Sequence, residues 1–190
     1  MSVFTGALGL KSPWYIKEVD LIEAEGGDEL HITIDHHRRT LFEYEGSKYS
    51  VYDHQERSWR HLDFFQHTCY IHARVPRVKL EDGKVKSIRV PWADRGSSFS
   101  VLFENRVIEI VQNGMSVSKI GQTFNISAKR VFRIVGRRVA HALSNQPLDT
   151  VKQQSIDETS ARKGHKYLTV LCDRKRKESC WHIPRPDAEA

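Results

Sequence analysis

SVSKIGQTFNISAKRVFRIVGRR, residues 116–138, is the stretch on which the reading of this chain turns. Ile120, Phe124, Ile126, Val131 and Ile134 are spaced as two helices need when they cross steeply and share a small core. Gly121 is small where the helices approach most closely. Asn125 tolerates the left-handed backbone that a tight interhelical turn requires. Ser116 and Ser127 are each placed to cap a helix, because a serine hydroxyl accepts from an otherwise unsatisfied N–H. The pattern predicts a helix over residues 117–124, a turn at Asn125-Ile126 and a further helix to about Leu143. That is a helix-turn-helix.

Between Ser127 and His141 there is no acid, and there are five strong bases: Lys129, Arg130, Arg133, Arg137 and Arg138. A recognition helix needs such a face. Its N-terminal side chains reach base edges while Arg and Lys neutralise phosphates. Ala128, Lys129 and Arg133 are candidates for base contacts, and Arg130, Arg137 and Arg138 for phosphate contacts. The plainer alternative is a helical hairpin with a solvated basic face. Spacing, turn chemistry and one-sided charge agree on duplex DNA.

Working outward, Phe99, Phe103, Val107 and Ile110 share one face of a preceding helix, which Asn113-Gly114 ends. Upstream the period changes. Leu30, Ile32 and Ile34 alternate with polar residues, as do Cys69, Ile71, Ala73 and Val75, so residues 12–92 read as hairpins. Gly26-Gly27-Asp28 joins a strand over residues 16–24 to the next. The turn at Glu81–Gly83 leads to a short strand over 85–90. In WRHLDFFQ, residues 59–66, Trp59, Leu62 and Phe65 are expected in the core, with Arg60 and Asp63 at the surface. Seven histidines fall between His31 and His72. His67, Cys69 and His72 lack the paired spacings of a zinc site, so hydrogen-bonded histidines are the expectation and no metal is assigned.

Beyond the helices, Ser144–Asp149 reads as a linker. Ser155–Asp173, SIDETSARKGHKYLTVLCD, reads as a β-hairpin with Asp157 and Glu158 on its first strand, followed by Arg174–Lys177 and a possible third strand over 180–183. The expected organisation is α+β: a β-rich module over 1–95, a helix-turn-helix domain over 96–145 and a β-rich piece over 146–190. The net charge of +6 is compatible with a polyanionic partner. Three scattered cysteines suit reduced thiols, and neither a signal peptide nor a membrane span is evident, so a cytoplasmic protein is expected.

The order of LGLKSPWYIK (8–17), SWRHLDFFQ (58–66), YIHARVPRVK (70–79), VPWA (90–93), the helix-turn-helix and SIDETSARKGHKYLTVLCD resembles the N-terminal half of the ISL-three family of bacterial insertion-sequence transposases. The resemblance implies a zinc-binding module and a helix-turn-helix that recognise terminal repeats, then a ribonuclease-H-like domain with an Asp-Asp-Glu triad. Two departures stand out. The four zinc-ligand slots fall near Phe42, Glu45, Leu80 and Gly83, so apolar packing by Phe42, Tyr44 and Leu80 is expected in place of the metal. Asp157 matches the family's first catalytic carboxylate, and the other two would lie beyond residue 190. Phosphoryl transfer needs several carboxylates around paired metal ions. Asp157 and Glu158 point to opposite faces of a strand; Asp173 is the candidate to approach Asp157 across the hairpin, with no third ligand evident. The expectation is a non-enzymatic, truncated transposase relative that needs no cofactor, with Asp157 a relic. It would bind transposon-end-like duplexes, as a homodimer where half-sites are paired, and regulate transposition or transcription. The alternatives are one part of a split transposase, or a protein-interaction adaptor.

Overall fold

The structure, a computed structural model, describes residues 3–144, 154–162, 166–173 and 178–184. The expected linker beyond Ser144 and the basic cluster Arg174–Lys177 lie outside the described residues. By its internal packing the chain divides into two compact units, residues 1–120 and 121–190.

The first unit opens with a short helix, α1 (Val3–Ala7), followed by β1 (Trp14–Ile22) and β2 (Glu29–His36), paired antiparallel. A small hairpin follows, β3 (Phe42–Tyr44) and β4 (Ser47–Tyr49). Its two turn residues, Glu45 and Gly46, both have positive φ, the geometry that matches the twist of a two-residue hairpin. The long strands β5 (Val51–Phe64) and β6 (His67–Lys79) form the main hairpin, and β7 (Val85–Ser87) returns against the end of β6. The sheet order is β1-β2-β6-β5, with β2 and β6 parallel. Pro76 falls where the free side of β6 changes partner, from β2 (through Ala73) to β7 (from Arg77). A proline has no N–H for a ladder, so this junction accommodates it. Its carbonyl accepts from Ile88 N–H at 3.0 Å.

Alternation places Leu30, Ile32 and Ile34 of β2 and Cys69, Ile71, Ala73 and Val75 of β6 in one core. Trp14, Trp59, Trp92 and Phe42 join them, with ring centroids 5.0 Å apart for Trp14–Trp92, 5.7 Å for Trp59–Trp92 and 5.7 Å for Trp14–Phe42. Burying a large aromatic contributes roughly 1.5–3 kcal/mol, so this cluster is a main source of the unit's stability.

The WRHLDFFQ segment differs from expectation. Trp59 is buried, but Phe65 is 82 % exposed and Arg60 only 9 %. The segment is strand up to Phe64, and Phe65 and Gln66 form the hairpin tip, with φ of 48° and 71°. A spacing of three assigns faces on a helix, not on a strand. Arg60 is held by the carbonyls of Cys69 (3.2 Å) and His61, by Asp63, and by the rings of Tyr70 and Phe103 at 5.6 and 5.5 Å. Its backbone also pairs with the segment before α2 (Val101–Gln112): Arg60 N–H donates to Ser98 O at 2.9 Å, and Ser100 N–H to Arg60 O at 3.0 Å. Ser100 then caps α2 through Phe103 N–H. The helix is thereby anchored to β5 through its first turn. Gly114, with φ of 82°, ends it as expected.

Among the described residues, four histidines pair ring to ring. His31 Nδ1 meets His72 Nε2 at 2.8 Å, and Ser58 meets the other nitrogen of His72 at 2.9 Å. His36 Nε2 meets His54 Nε2 at 3.0 Å. His72 is thus turned toward His31 and away from Cys69, which lies wholly buried. Among the described residues, no group of three or more His, Cys, Asp or Glu side chains is placed to hold a metal.

The second unit begins within α3 (Val117–Thr123) and continues into α4 (Ala128–Ser144). Three strands follow, β8 (Gln154–Arg162), β9 (Lys166–Asp173) and β10 (Glu178–Pro184), antiparallel in the order β10-β9-β8. Asp157 pairs with Val170, and Asp173 with Gln154. Asp173 therefore stands three strand positions along from Asp157, about 10 Å at the rise of a strand, and does not approach it as expected. No described helix is long and apolar enough to cross a membrane.

Candidate nucleic-acid interface

The turn between α3 and α4 is closed by backbone chemistry. Ile126 N–H donates to Gly121 O at 2.9 Å, and Asn125 N–H to Gln122 O at 3.3 Å. Asn125 has φ of 50°, the left-handed conformation its side chain tolerates. A Cβ added at Gly121 would stand 2.7 Å from Ile126 O, so only glycine fits the existing backbone. Ser116 Oγ caps α3 through Lys119 N–H at 3.4 Å. The Ser127 carbonyl accepts from Arg130 and Val131 N–H, at 2.8 and 3.2 Å, as α4 starts. Ile120, Ile126, Val131 and Ile134 are buried.

Val131 and Ile134 fix which way α4 faces. At about 100° per residue, the outward direction falls on Lys129 and Gly136, with Phe132 and Arg133 on either side. Two rows run beside this centre. Arg130, Arg133 and Arg137 follow one another at three and four residues. Ala128, Phe132, Val135 and Val139 do the same on the other edge. The five bases therefore do not share one face. Lys129 and Arg133 are exposed and outward, Arg130 is exposed on the flank, and Arg137 is half-buried. Arg138 lies seven residues after Val131 and four after Ile134, hence on their side of the helix, though it remains exposed. Ala128 is exposed at the N-terminal end. Reading charge alone missed Phe132, which is 63 % exposed. Its position, three after Lys129 and off the Val131–Ile134 side, was the signal that would have found it.

The positions that the resemblance assigns to zinc ligands hold other chemistry. Phe42 is buried in the aromatic core, and Tyr44 and Leu80 pack against it. Glu45 is an exposed turn residue with φ of 50°, and Gly83 has no side chain and φ of 80°. Zinc takes thiolate, imidazole or carboxylate ligands in a tetrahedral set. These four positions do not supply one, and hairpin turns stand where metal knuckles would.

Two segments match known families. Residues 46–79 match the family described as the zinc-finger of transposase IS204/IS1001/IS1096/IS1165, and residues 88–139 the helix-turn-helix domain of transposase family ISL3. The first match begins one residue after Glu45 and ends one before Leu80, so it lies between the two pairs of ligand slots. The chain is also similar to the transposase for insertion sequence element IS1557 from two Mycobacterium tuberculosis strains, CDC 1551 / Oshkosh and ATCC 25618 / H37Rv. In both, identity is 25 % over 194 aligned positions, covering 97 % of this chain and 43 % of the relative. The chain thus spans less than half the length of these relatives. No solved structure matches it.

Proposed function

We propose, from its kinship with the N-terminal part of the ISL3-family transposases, that this chain binds duplex DNA by laying α4 in the major groove. The observation that carries the reading is the outward face of α4. Lys129 and Arg133 stand exposed on it, on a helix that has no acid and is set by a close-packed turn at Gly121. Phosphate neutralisation supplies affinity and base-edge contacts supply selectivity. Lys129 and Arg133 face bases, Ala128 stands at the N-terminal edge of that face, and Arg130 lies along the phosphates, with the half-buried Arg137 and the rearward Arg138 in lesser roles.

The target is a repeat resembling transposon ends, bound by two copies of the chain where half-sites are paired. These 190 residues do not carry out strand transfer. Asp157 on β8 is the one carboxylate that corresponds to the family's triad, and the three-stranded sheet around it is the beginning of a ribonuclease-H-like fold. The presence of Asp157 also favours a second reading, in which the remaining carboxylates are supplied by further polypeptide. Sequencing the genomic fragments retained by the purified chain tests the target. Enrichment of inverted repeats supports the reading, and a flat profile contradicts it. Magnesium-dependent cutting of those repeats by the chain alone would contradict the non-catalytic assignment.

A further inference from the structure

Phe132 is a large aromatic side chain, 63 % exposed, on the outward side of α4. Phenylalanine is a weaker helix former than alanine, lysine or arginine, and at this exposure most of its ring adds little to folding. Its neighbours on that surface are Lys129 one turn earlier, Arg133 beside it and Gly136 one turn later. A Cβ at Gly136 would meet nothing within 4 Å, so the helix surface beside the ring is open to a flat partner. An apolar ring framed by two cations fits a partner that is anionic but carries a local apolar group.

We infer that Phe132 contacts the 5-methyl group of a thymine in the major groove and gives α4 part of its base preference. This rests on the duplex-binding reading above. In the major groove the thymine methyl is the apolar feature of the base-pair code, and a phenyl ring is among the side chains that contact it. The outward face from Lys129 to Gly136 rises about 10 Å, some three base-pair steps. Phe132 lies within about 5 Å of both Lys129 and Arg133 along the axis. Lysine and arginine favour guanine O6 and N7, so the thymine stands within one or two base pairs of a guanine.

The test begins with duplexes selected by the full chain from a pool with a random central region. The selected duplex is resynthesised with deoxyuridine in place of each thymidine in turn, and binding is followed by fluorescence anisotropy. At one position, loss of the methyl group weakens wild-type binding about fourfold, the effect of one buried methyl-sized group. Phe132→Ala binds the thymidine and deoxyuridine forms equally, whereas Phe132→Leu keeps a reduced preference. If the wild type treats both forms alike at every position while Arg133→Ala still weakens binding, the inference fails and the duplex reading stands. If neither Lys129→Ala nor Arg133→Ala weakens binding, both fail. If Phe132→Ala instead abolishes self-association in sedimentation and leaves the thymidine preference intact, the ring belongs to a contact with a second copy and the inference is overturned.

Discussion

Two glycines of the helix-turn-helix respond to the same substitution with opposite sign. Gly136 lies inside α4, where an added Cβ meets nothing within 4 Å. Alanine there removes the entropic cost of glycine in a helix, so Gly136→Ala stabilises by about 0.8–1 kcal/mol. Gly121 lies inside α3, and the same helix gain applies. Its Cβ, however, would stand 2.7 Å from Ile126 O. That oxygen is backbone, and the turn holding it is tied to Gly121 O by the 2.9 Å bond from Ile126 N–H. The turn must open by several tenths of an ångström, and strain of this kind costs about 1–3 kcal/mol. The net effect of Gly121→Ala is a loss of up to about 2 kcal/mol, and since both variants share the helix gain the strain alone separates them, by about 1–3 kcal/mol. Urea unfolding followed by far-ultraviolet circular dichroism gives both values, and hydrogen exchange at the amides of Ile126 and Val131 localises the change. Equal stabilisation by both variants would refute the close packing of the turn.

Aromatic packing around Phe42, in place of a metal, predicts that EDTA leaves the melting curve unchanged, whereas Phe42→Ala costs about 3–4 kcal/mol by opening the aromatic core; melting that falls on chelation would contradict it. The tip of the β5–β6 hairpin holds Phe65 and Gln66 in the left-handed region, where asparagine and glycine are favoured. Phe65→Asn with Gln66→Gly therefore raises stability by about 1–2 kcal/mol in the same urea assay, and a lower midpoint would show that the exposed ring is needed. His61 is held to about 4, first by burial and then by the neighbouring Arg60 charge. The folded state favours the neutral ring, so its contribution is complete above pH 6.5 and is lost as pH falls from 6.5 toward 4, by at most about 3 kcal/mol. The shifts of His54 and His72 have the same direction. Urea midpoints measured from pH 7 to 4.5 report the loss, and His61→Gln flattens it; a flat wild-type profile would contradict the burial of His61.

The helix-turn-helix was legible because each of its requirements is local. Two serines open the helices, Asn125 takes the left-handed turn, Gly121 admits close approach, and the apolar residues keep a helical period. The alternation of Leu30–Ile34 and Cys69–Val75 likewise identified two buried strands. Their parallel pairing was not legible, since strands separated by a hairpin and a long strand leave no local mark of which edge meets which. Arg60 and Phe65 were assigned to the wrong sides because a spacing of three was applied to a segment that extends as strand and then turns. The basic residues of α4 were found from charge, but charge does not show direction. The buried Val131 and Ile134 set Lys129 and Arg133 outward, carry Arg138 to the other side, and expose Phe132.

Duplex affinity of the Arg133→Glu variant, measured by fluorescence anisotropy across a salt titration, tests the central claim most directly. Arg133 is exposed on the outward face of α4 and its removal leaves the buried face intact. The expected result is an unchanged circular dichroism spectrum, loss of duplex binding at moderate salt, and a wild-type affinity that falls steeply with salt, as counterion release requires. Undiminished binding by a folded Arg133→Glu protein would contradict the assignment of α4 as the DNA-reading helix.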